Sequence, residues 1–302
     1  MTEEEKIMYV YHPHELTLKG NNRPEFEKQL TRNLREQMKE AGVTIHAIDQ
    51  ITGRHLLIAN ASDQAAIEEV SPRVFGIANY ARCYGCSGDF DALKEEIHNY
   101  FANLLKSRPI KSFRVDCARV DKRFPMQSPM VCKEIGAVIH EGLEIPVDLH
   151  NPELNLHIEI LNDDKKFPYK FLYFAERFPG ALGLPVGTSG KVLCLLSGGF
   201  DSPVATWMMM RRGCSVSLIH FHSAPYGEWR SSVSKIRKIV QQLHLYGGPT
   251  SFLSVPIGEL QREIANKAPD RFRVTLYRRL MMRVAKKIAE KEKCRALATG
   301  DS

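Results

Sequence analysis

Apolar residues recur along the first seventy positions at two different spacings. In residues 24–41, Phe26, Leu30, Leu34 and Met38 fall four apart, as one stripe of a helix does. Pro24 suits the first turn of that helix and Gly42 sits just past its end. Residues 6–10, 43–48 and 55–58 read instead as strands, the last two around a turn containing Gly53, and 63–70 reads as a short helix. The order β-α-β-β-α predicts a small ferredoxin-like unit.

The pattern then repeats in a different order. Leu93, Ile97, Phe101 and Leu104 form a helical stripe over 90–105. Residues 112–118 alternate Phe113, Val115 and Cys117 against Arg114 and Asp116, as a half-buried strand does. A helix over 130–142, ended by Gly142, and a strand over 154–161 follow. The passage from Pro179 to Gly190 is rich in glycine and proline and reads as a linker or a shaped loop, with the main domain boundary there. Beyond it, strands at 192–196, 215–222, 252–255 and 296–298 alternate with helices at 202–212, 233–245 and 274–291. The last helix turns Tyr277, Leu280, Met281, Val284 and Ile288 inward. Residues 192–196 are nearly all apolar, as in a parallel sheet covered on both faces. The fold class expected is therefore α/β and α+β multidomain, with a doubly wound parallel sheet last. The domains are placed at 1–62, 63–178 and 179–302.

Composition narrows the partners. Of 302 residues, 43% are hydrophobic and 25% charged, and no apolar run reaches the ~18 residues of a membrane span. The acidic N-terminus has no signal-peptide core. Seven scattered cysteines point to reduced thiols in a cytoplasmic compartment. Charge is uneven: residues 185–302 carry 19 basic and 8 acidic side chains, a balance of +11 against +7 for the whole chain. Such a domain suits a polyanion, either nucleic acid or nucleotide phosphate.

The sharpest local signal is Ser197-Gly198-Gly199-Phe200-Asp201-Ser202, set between a buried strand and a helix whose first turn holds Pro203. Ligands bind at this edge of open α/β sheets, and helix N-termini bind phosphate. Glycines let the backbone approach an anion. Asp201 would repel phosphate unless a Mg²⁺ ion lies between them. The Walker pattern fails here, since Gly190-Lys191 is followed by Val192, and G-x-G-x-x-G is absent from the loop.

This loop resembles the SGGxDS signature of PP-loop ATP pyrophosphatases. Leu18-Lys19-Gly20-Asn21-Asn22-Arg23, Val120-Asp121-Lys122-Arg123-Phe124-Pro125, Val147-Asp148-Leu149 with Asn151-Pro152, the stretch from Gly183 to Lys191, and Arg278 to Met282 narrow the resemblance to the tRNA 4-thiouridine synthetases, or tRNA sulfurtransferases. The resemblance covers essentially the whole chain. It implies a ferredoxin-like domain, a tRNA-binding THUMP domain and a PP-loop catalytic domain. It implies that ATP adenylates O4 of uridine 8 in tRNA, and that persulfide sulfur from a cysteine desulfurase then displaces AMP. Family members can also supply sulfur for the thiazole of thiamine. By the same resemblance, Ser197, Gly198, Gly199 and Ser202 hold the pyrophosphate portion and Asp201 is the catalytic acid, acting through Mg²⁺ or by orienting groups. Leu195, Leu196, His220 and Phe221 flank the adenosine, and Arg278 or Arg279 with Gly300 completes the pocket. His220 reads equally well as a packed strand-end histidine.

Lys106, Arg108, Lys111, Arg114, Arg119, Lys122 and Arg123 face only Asp116 and Asp121 within residues 106–123, a local +5 suited to tRNA phosphates. Arg211, Arg212, Lys235, Arg237 and Lys238 extend that basic track. Cys83 and Cys86 form a lone C-x-x-C and read as ordinary thiols, Cys194 reads as core, and Cys214 and Cys294 stay unranked as sulfur carriers. Tyr11-His12-Pro13-His14-Glu15 departs from the family's Tyr-Gly-Glu stretch. Because the family continues past its Thr-Gly region, here Thr299-Gly300, the chain is expected to be truncated and unable to complete sulfur transfer alone. Two other readings stay open: a small-molecule PP-loop ligase, and a non-catalytic tRNA-binding fragment. No membrane partner is expected, and a homodimer is left open.

Overall fold

The structure, a computed structural model, describes residues 5–18, 20–51, 53–161 and 167–300; Lys19 of the motif above lies outside these residues. In chain order the elements are β1 (Lys6–Pro13), α1 (Arg23–Glu40), β2 (Ile45–Ile51), β3 (Arg54–Asn60), α2 (Gln64–Val70), β4 (Ile77–Cys86), α3 (Phe90–Ser107), β5 (Phe113–Arg119), α4 (Ser128–Leu143), β6 (Leu154–Ile160), β7 (Phe171–Phe174) and β8 (Phe178–Pro179). There follow β9 (Lys191–Leu195), α5 (Asp201–Arg211), β10 (Ser215–His222), α6 (Trp229–His244), β11 (Ser251–Pro256), α7 (Gly258–Lys267), α8 (Asp270–Lys291) and β12 (Ala296–Ala298). The chain divides into two compact units. The first takes Met1–His12, Thr44–Gln64 and Asn79–Pro179, and the second the remainder.

The first unit is built on one sheet of order β2-β3-β1-β4-β7-β6-β5, with β8 paired to β4. The chain order β1-α1-β2-β3-α2-β4 with sheet order β2-β3-β1-β4 is the ferredoxin-like pattern. The sequence pattern missed its last strand, because Asn79, Arg82 and Gly85 break the alternation of β4. Further along, Leu154, Leu156, Ile158 and Ile160 turn to one face. There they pack with Leu93, Ile97 and Phe101 of α3 and Val131, Ile135 and Ile139 of α4. The helix α4 does not end at Gly142 as the sequence suggested. It runs to Leu143, and Glu144 closes it in the left-handed conformation. Gly142 serves packing instead, since a Cβ there would stand 2.9 Å from the His98 ring.

The second unit carries a sheet of order β11-β10-β9-β12, every pair parallel. Its strands alternate between two buried faces. Val192, Cys194, Leu196, Val216 and Leu218 pack with Met210, Ile236 and Leu243 on one side. Leu193 and Ile219 pack with Ala285 and Ala289 of α8 on the other. The chain moves outward from β9 through β10 to β11, then returns to place β12 on the far side of β9, so the order reverses at β9. The passage around 179–190 is a shaped loop pinned to the end of α5. Leu184 N–H donates to Arg211 O at 2.9 Å, and both Gly187 and Ser189 N–H donate to Gly213 O at 2.9 Å.

Candidate functional site

The reversal at β9 leaves a crevice at the carboxyl ends of the strands, where ligands bind in sheets of this kind. A cavity of about 340 Å³ lies there, lined by Leu195, Leu196, Ser197, Gly198, Ser202, Ile219, His220, Phe221, Arg278, Met281, Met282, Thr299 and Gly300. Nine of the twelve residues expected at the site line this one cavity. Gly199, Asp201 and Arg279 do not. Ile219, Met281, Met282 and Thr299 line it without having been anticipated. The two methionines were legible as part of the Arg278 to Met282 stretch, whereas Ile219 reads in sequence only as core. The wall is apolar where the strand ends face α8 and polar where Ser197, Gly198 and Ser202 meet the start of α5.

Ser202 organises the loop. Its hydroxyl accepts from Ser197 N–H at 2.8 Å and lies 2.9 Å from Ser197 Oγ, and Ser202 is only 3% exposed. Thr206 Oγ donates to Ser202 O at 2.8 Å, locking the first turn of α5. Gly199 N–H reaches Ser197 Oγ at 3.4 Å, a weak contact. Among the described residues, no carbonyl or side chain takes the Gly198 N–H.

The loop glycines are not required by the protein. Neither Gly198 nor Gly199 has a left-handed φ. A Cβ at Gly199 would meet only Ser197 Oγ at 3.6 Å, and one at Gly198 only the Lys235 side chain at 3.5 Å or more. Gly300 differs, because a Cβ there would lie 2.5 Å from the backbone of Ser202. It lets the loop after β12 lie directly against the first turn of α5.

His220 is 5% exposed and uses both ring nitrogens. Nδ1 lies 2.9 Å from Leu196 O, which only accepts, so Nδ1 carries the proton. Nε2 then accepts from Ser232 Oγ at 3.1 Å. Both ring nitrogens are therefore engaged within the protein. Asp201 is exposed in the first turn of α5. Among the described residues no group of three or more His, Cys, Asp or Glu side chains could hold a metal ion. A lone carboxylate still matches Mg²⁺ chemistry, in which substrate phosphates and water supply most ligands.

All seven thiols are free, and burial pushes each of them up. Cys86, Cys117 and Cys194 reach about 11. Cys83 and Cys86 sit in separate core clusters, so the C-x-x-C is not a site. The basic stretch divides by role. Arg119 donates to Met126 O at 2.7 Å, and Arg114 holds Asp116 at 2.9 Å. Arg108 pairs with Glu176 and Arg123 with Asp121. Lys106, Lys111 and Lys122 are exposed, with Lys106 Nζ donating to Asn103. The departing stretch near the N-terminus is structural: His12 bonds Glu159, His14 Nδ1 accepts from Gly183 N–H, and Glu15 pairs with Arg212.

Comparison with known proteins agrees with this architecture. Family models described as the ThiI ferredoxin-like domain, the THUMP domain and thiamine biosynthesis protein (ThiI) match residues 8–81, 87–164 and 187–302. A probable tRNA sulfurtransferase of Alkaliphilus metalliredigens is 36% identical over 95% of this chain and 71% of its own length. One from Brevibacillus brevis is 37% identical over 95% and 70%. This chain spans about 70% of the length of these relatives. The crystal structure of a 4-thiouridine synthetase–RNA complex with bound ATP superposes with a TM-score of 0.81 at 31% identity, covering 98% of this chain and 74% of that one. A structure from Pyrococcus horikoshii, 23% identical with a TM-score of 0.72, shares the fold. The chain belongs to the tRNA sulfurtransferase (ThiI) family.

Proposed function

We propose that this protein uses ATP to convert a tRNA uridine, at position 8, into 4-thiouridine. The observation that carries the reading is a pair of glycines the protein itself does not need, of which Gly198 lines a cavity of about 340 Å³ on the strand-end edge. A ligand that comes close to the backbone accounts for them. The polar end, with Ser197, Gly198, Gly199 and Ser202, receives the β- and γ-phosphates. The apolar end, with Leu195, Leu196, Phe221 and Met281, receives adenosine, and Arg278 rather than Arg279 borders it. The 4-thiouridine synthetase neighbour holds ATP and RNA, which supports a nucleotide and an RNA as the ligands.

A carbonyl oxygen leaves poorly. O4 of uridine attacks the α-phosphorus, the bond to the β-phosphate breaks, and pyrophosphate departs. The protein's share is to position the reactants and to stabilise the charge that develops on the leaving group. Asp201, at the start of α5, would hold Mg²⁺ together with the phosphates. That ion would neutralise phosphate charge when bound. The terminal sulfur of a persulfide, supplied by a cysteine desulfurase in the cytoplasm, then attacks C4 and displaces AMP, and a second thiol cleaves the S–S bond to leave 4-thiouridine and a disulfide. We take the sulfur carrier to lie outside the seven thiols here, since none has the lowered pKa of a reactive cysteine. Supply of sulfur for thiazole synthesis belongs to the same reading.

The test is pyrophosphate release from ATP with and without tRNA. Release that requires tRNA is the expected result. Release without RNA would make the protein a small-molecule ligase. Tight tRNA binding without release would make it a binding module.

A further inference from the structure

The basic helix α6 carries Arg230, Lys235, Arg237 and Lys238 and has no Asp or Glu along Trp229–His244. Arg230 lies in its first turn, where the helix macrodipole disfavours a cation. A helix of this composition is least costly beside an anion. Among the described residues no carboxylate pairs with these four side chains. One of them is aimed. The Lys235 side chain runs along the glycine loop, with Cδ 3.5 Å, Nζ 3.6 Å and Cε 3.8 Å from where a Cβ on Gly198 would stand. A side chain grown on Gly198 would therefore fill the gap between the loop backbone and the Lys235 ammonium.

A device also fixes this helix against the strand ends. His220 donates from Nδ1 to Leu196 O at 2.9 Å and accepts at Nε2 from Ser232, three residues before Lys235. The buried ring thus ties the residue preceding the loop to α6. The Ser232 and Lys235 positions fall on one face of the helix.

Resting on the nucleotide reading above, we propose that Lys235 binds the β- and γ-phosphates of ATP across the Gly198 gap and neutralises pyrophosphate as it leaves, with His220 and Ser232 as positioning residues. The chemistry is that of a point charge, which suits a lysine. Lys235 thereby belongs to the nucleotide site rather than to the RNA track. The His220 imidazole acts as a strut, with no ring nitrogen left for the nucleotide.

The experiment compares binding of ATP and of AMP, with Mg²⁺ present, to the wild-type chain and to Lys235→Ala, Lys235→Arg and Ser232→Ala. AMP lacks the two phosphates in question. In Lys235→Ala, loss of a charge-assisted contact should weaken ATP binding by about 10–100-fold. AMP binding should stay within about twofold, tRNA-dependent pyrophosphate release should fall about 100-fold or more, and melting should be unchanged. Lys235→Arg should recover much of the loss, and Ser232→Ala should show a smaller loss with the same ATP selectivity. Lys235→Ala that binds ATP and releases pyrophosphate as wild type does, or that weakens ATP and AMP alike, overturns the proposal. Ser232→Ala with equal losses for both nucleotides overturns the positioning role. A wild-type chain that binds no ATP sinks the nucleotide reading itself, which separates the two failures.

Discussion

At the scale of the residue, ligand and scaffold make opposite demands on glycine. Gly198 has an ordinary φ and open space apart from Lys235, so Gly198→Ala should fold as well as wild type, or better by about 0.4–1 kcal/mol through the unfolded state. The same methyl fills the gap above the loop, so ATP affinity should drop sharply. Denaturant unfolding and nucleotide titration on one variant check both halves; equal affinity with unchanged stability would remove the reason for the glycine. Asp201→Ala is the complementary case. The side chain is exposed and forms no ion pair among the described residues, so its loss should abolish pyrophosphate release while melting temperature and tRNA affinity stay near wild type. A variant that still releases pyrophosphate would take Asp201 out of the mechanism.

At the scale of the element, the close approach at Gly300 decides whether the cavity has its shape. A Cβ there lies 2.5 Å from Ser202 N and Cα. That is backbone and not a flexible side chain, so the loop after β12 has to move away from α5. Gly300→Ala should cost about 1–3 kcal/mol of stability, the usual range for overpacking, and should weaken ATP and AMP together. Chemical denaturation and titration with both nucleotides distinguish it from Lys235→Ala, which spares AMP. These particulars mark what the sequence could and could not reveal. The SGGFDS loop was legible because strand, glycines and helix are contiguous in the chain. The roles of His220 and Lys235 were not, because Ser232 and Gly198 reach them only through folding. Arg278 and Arg279 are adjacent on an exposed helical turn, so no periodicity separates them; only the position of β12 beyond β9 brings Arg278 to the cavity. Strand β4 was lost to its interrupted alternation. Helix α7 was lost because Gly258–Lys267 offers few apolar residues beyond Leu260 and Ile264.

At the scale of the molecule, a buried carboxylate and a half-buried histidine on one strand set the acid response of the first unit. In the first unit Glu159 is 1% exposed, accepts from His12 at 2.8 Å and pairs with Arg54. Burial pushes this carboxyl up, but the hydrogen bonds and charges of His12 and then Arg54 outweigh it and hold the group at about 2. Nearby on the same strand face, burial and the Arg177 guanidinium push His157 down to about 4. Both shifts have one sign. The unfolded chain protonates His157 near pH 6.5 while the folded chain resists until about 4, so stability falls with pH across that window. The ordinary carboxyl range of Glu159 begins near 4.5 in the unfolded chain, and its contribution is lost as pH falls from there toward 2. Acid should therefore open the first unit in two overlapping steps, read by hydrogen exchange in β1, β3 and β6 between pH 7 and 3. Replacing Glu159 by Gln removes the lower step, and at neutral pH it costs about 3 kcal/mol because the half-buried Arg54 loses its carboxylate. Replacing His157 by Gln removes the upper step, so the variant should hold its stability between pH 6.5 and 4 where wild type loses it. Retention of both steps in both variants would move the acid sensitivity to the other carboxylates of this unit.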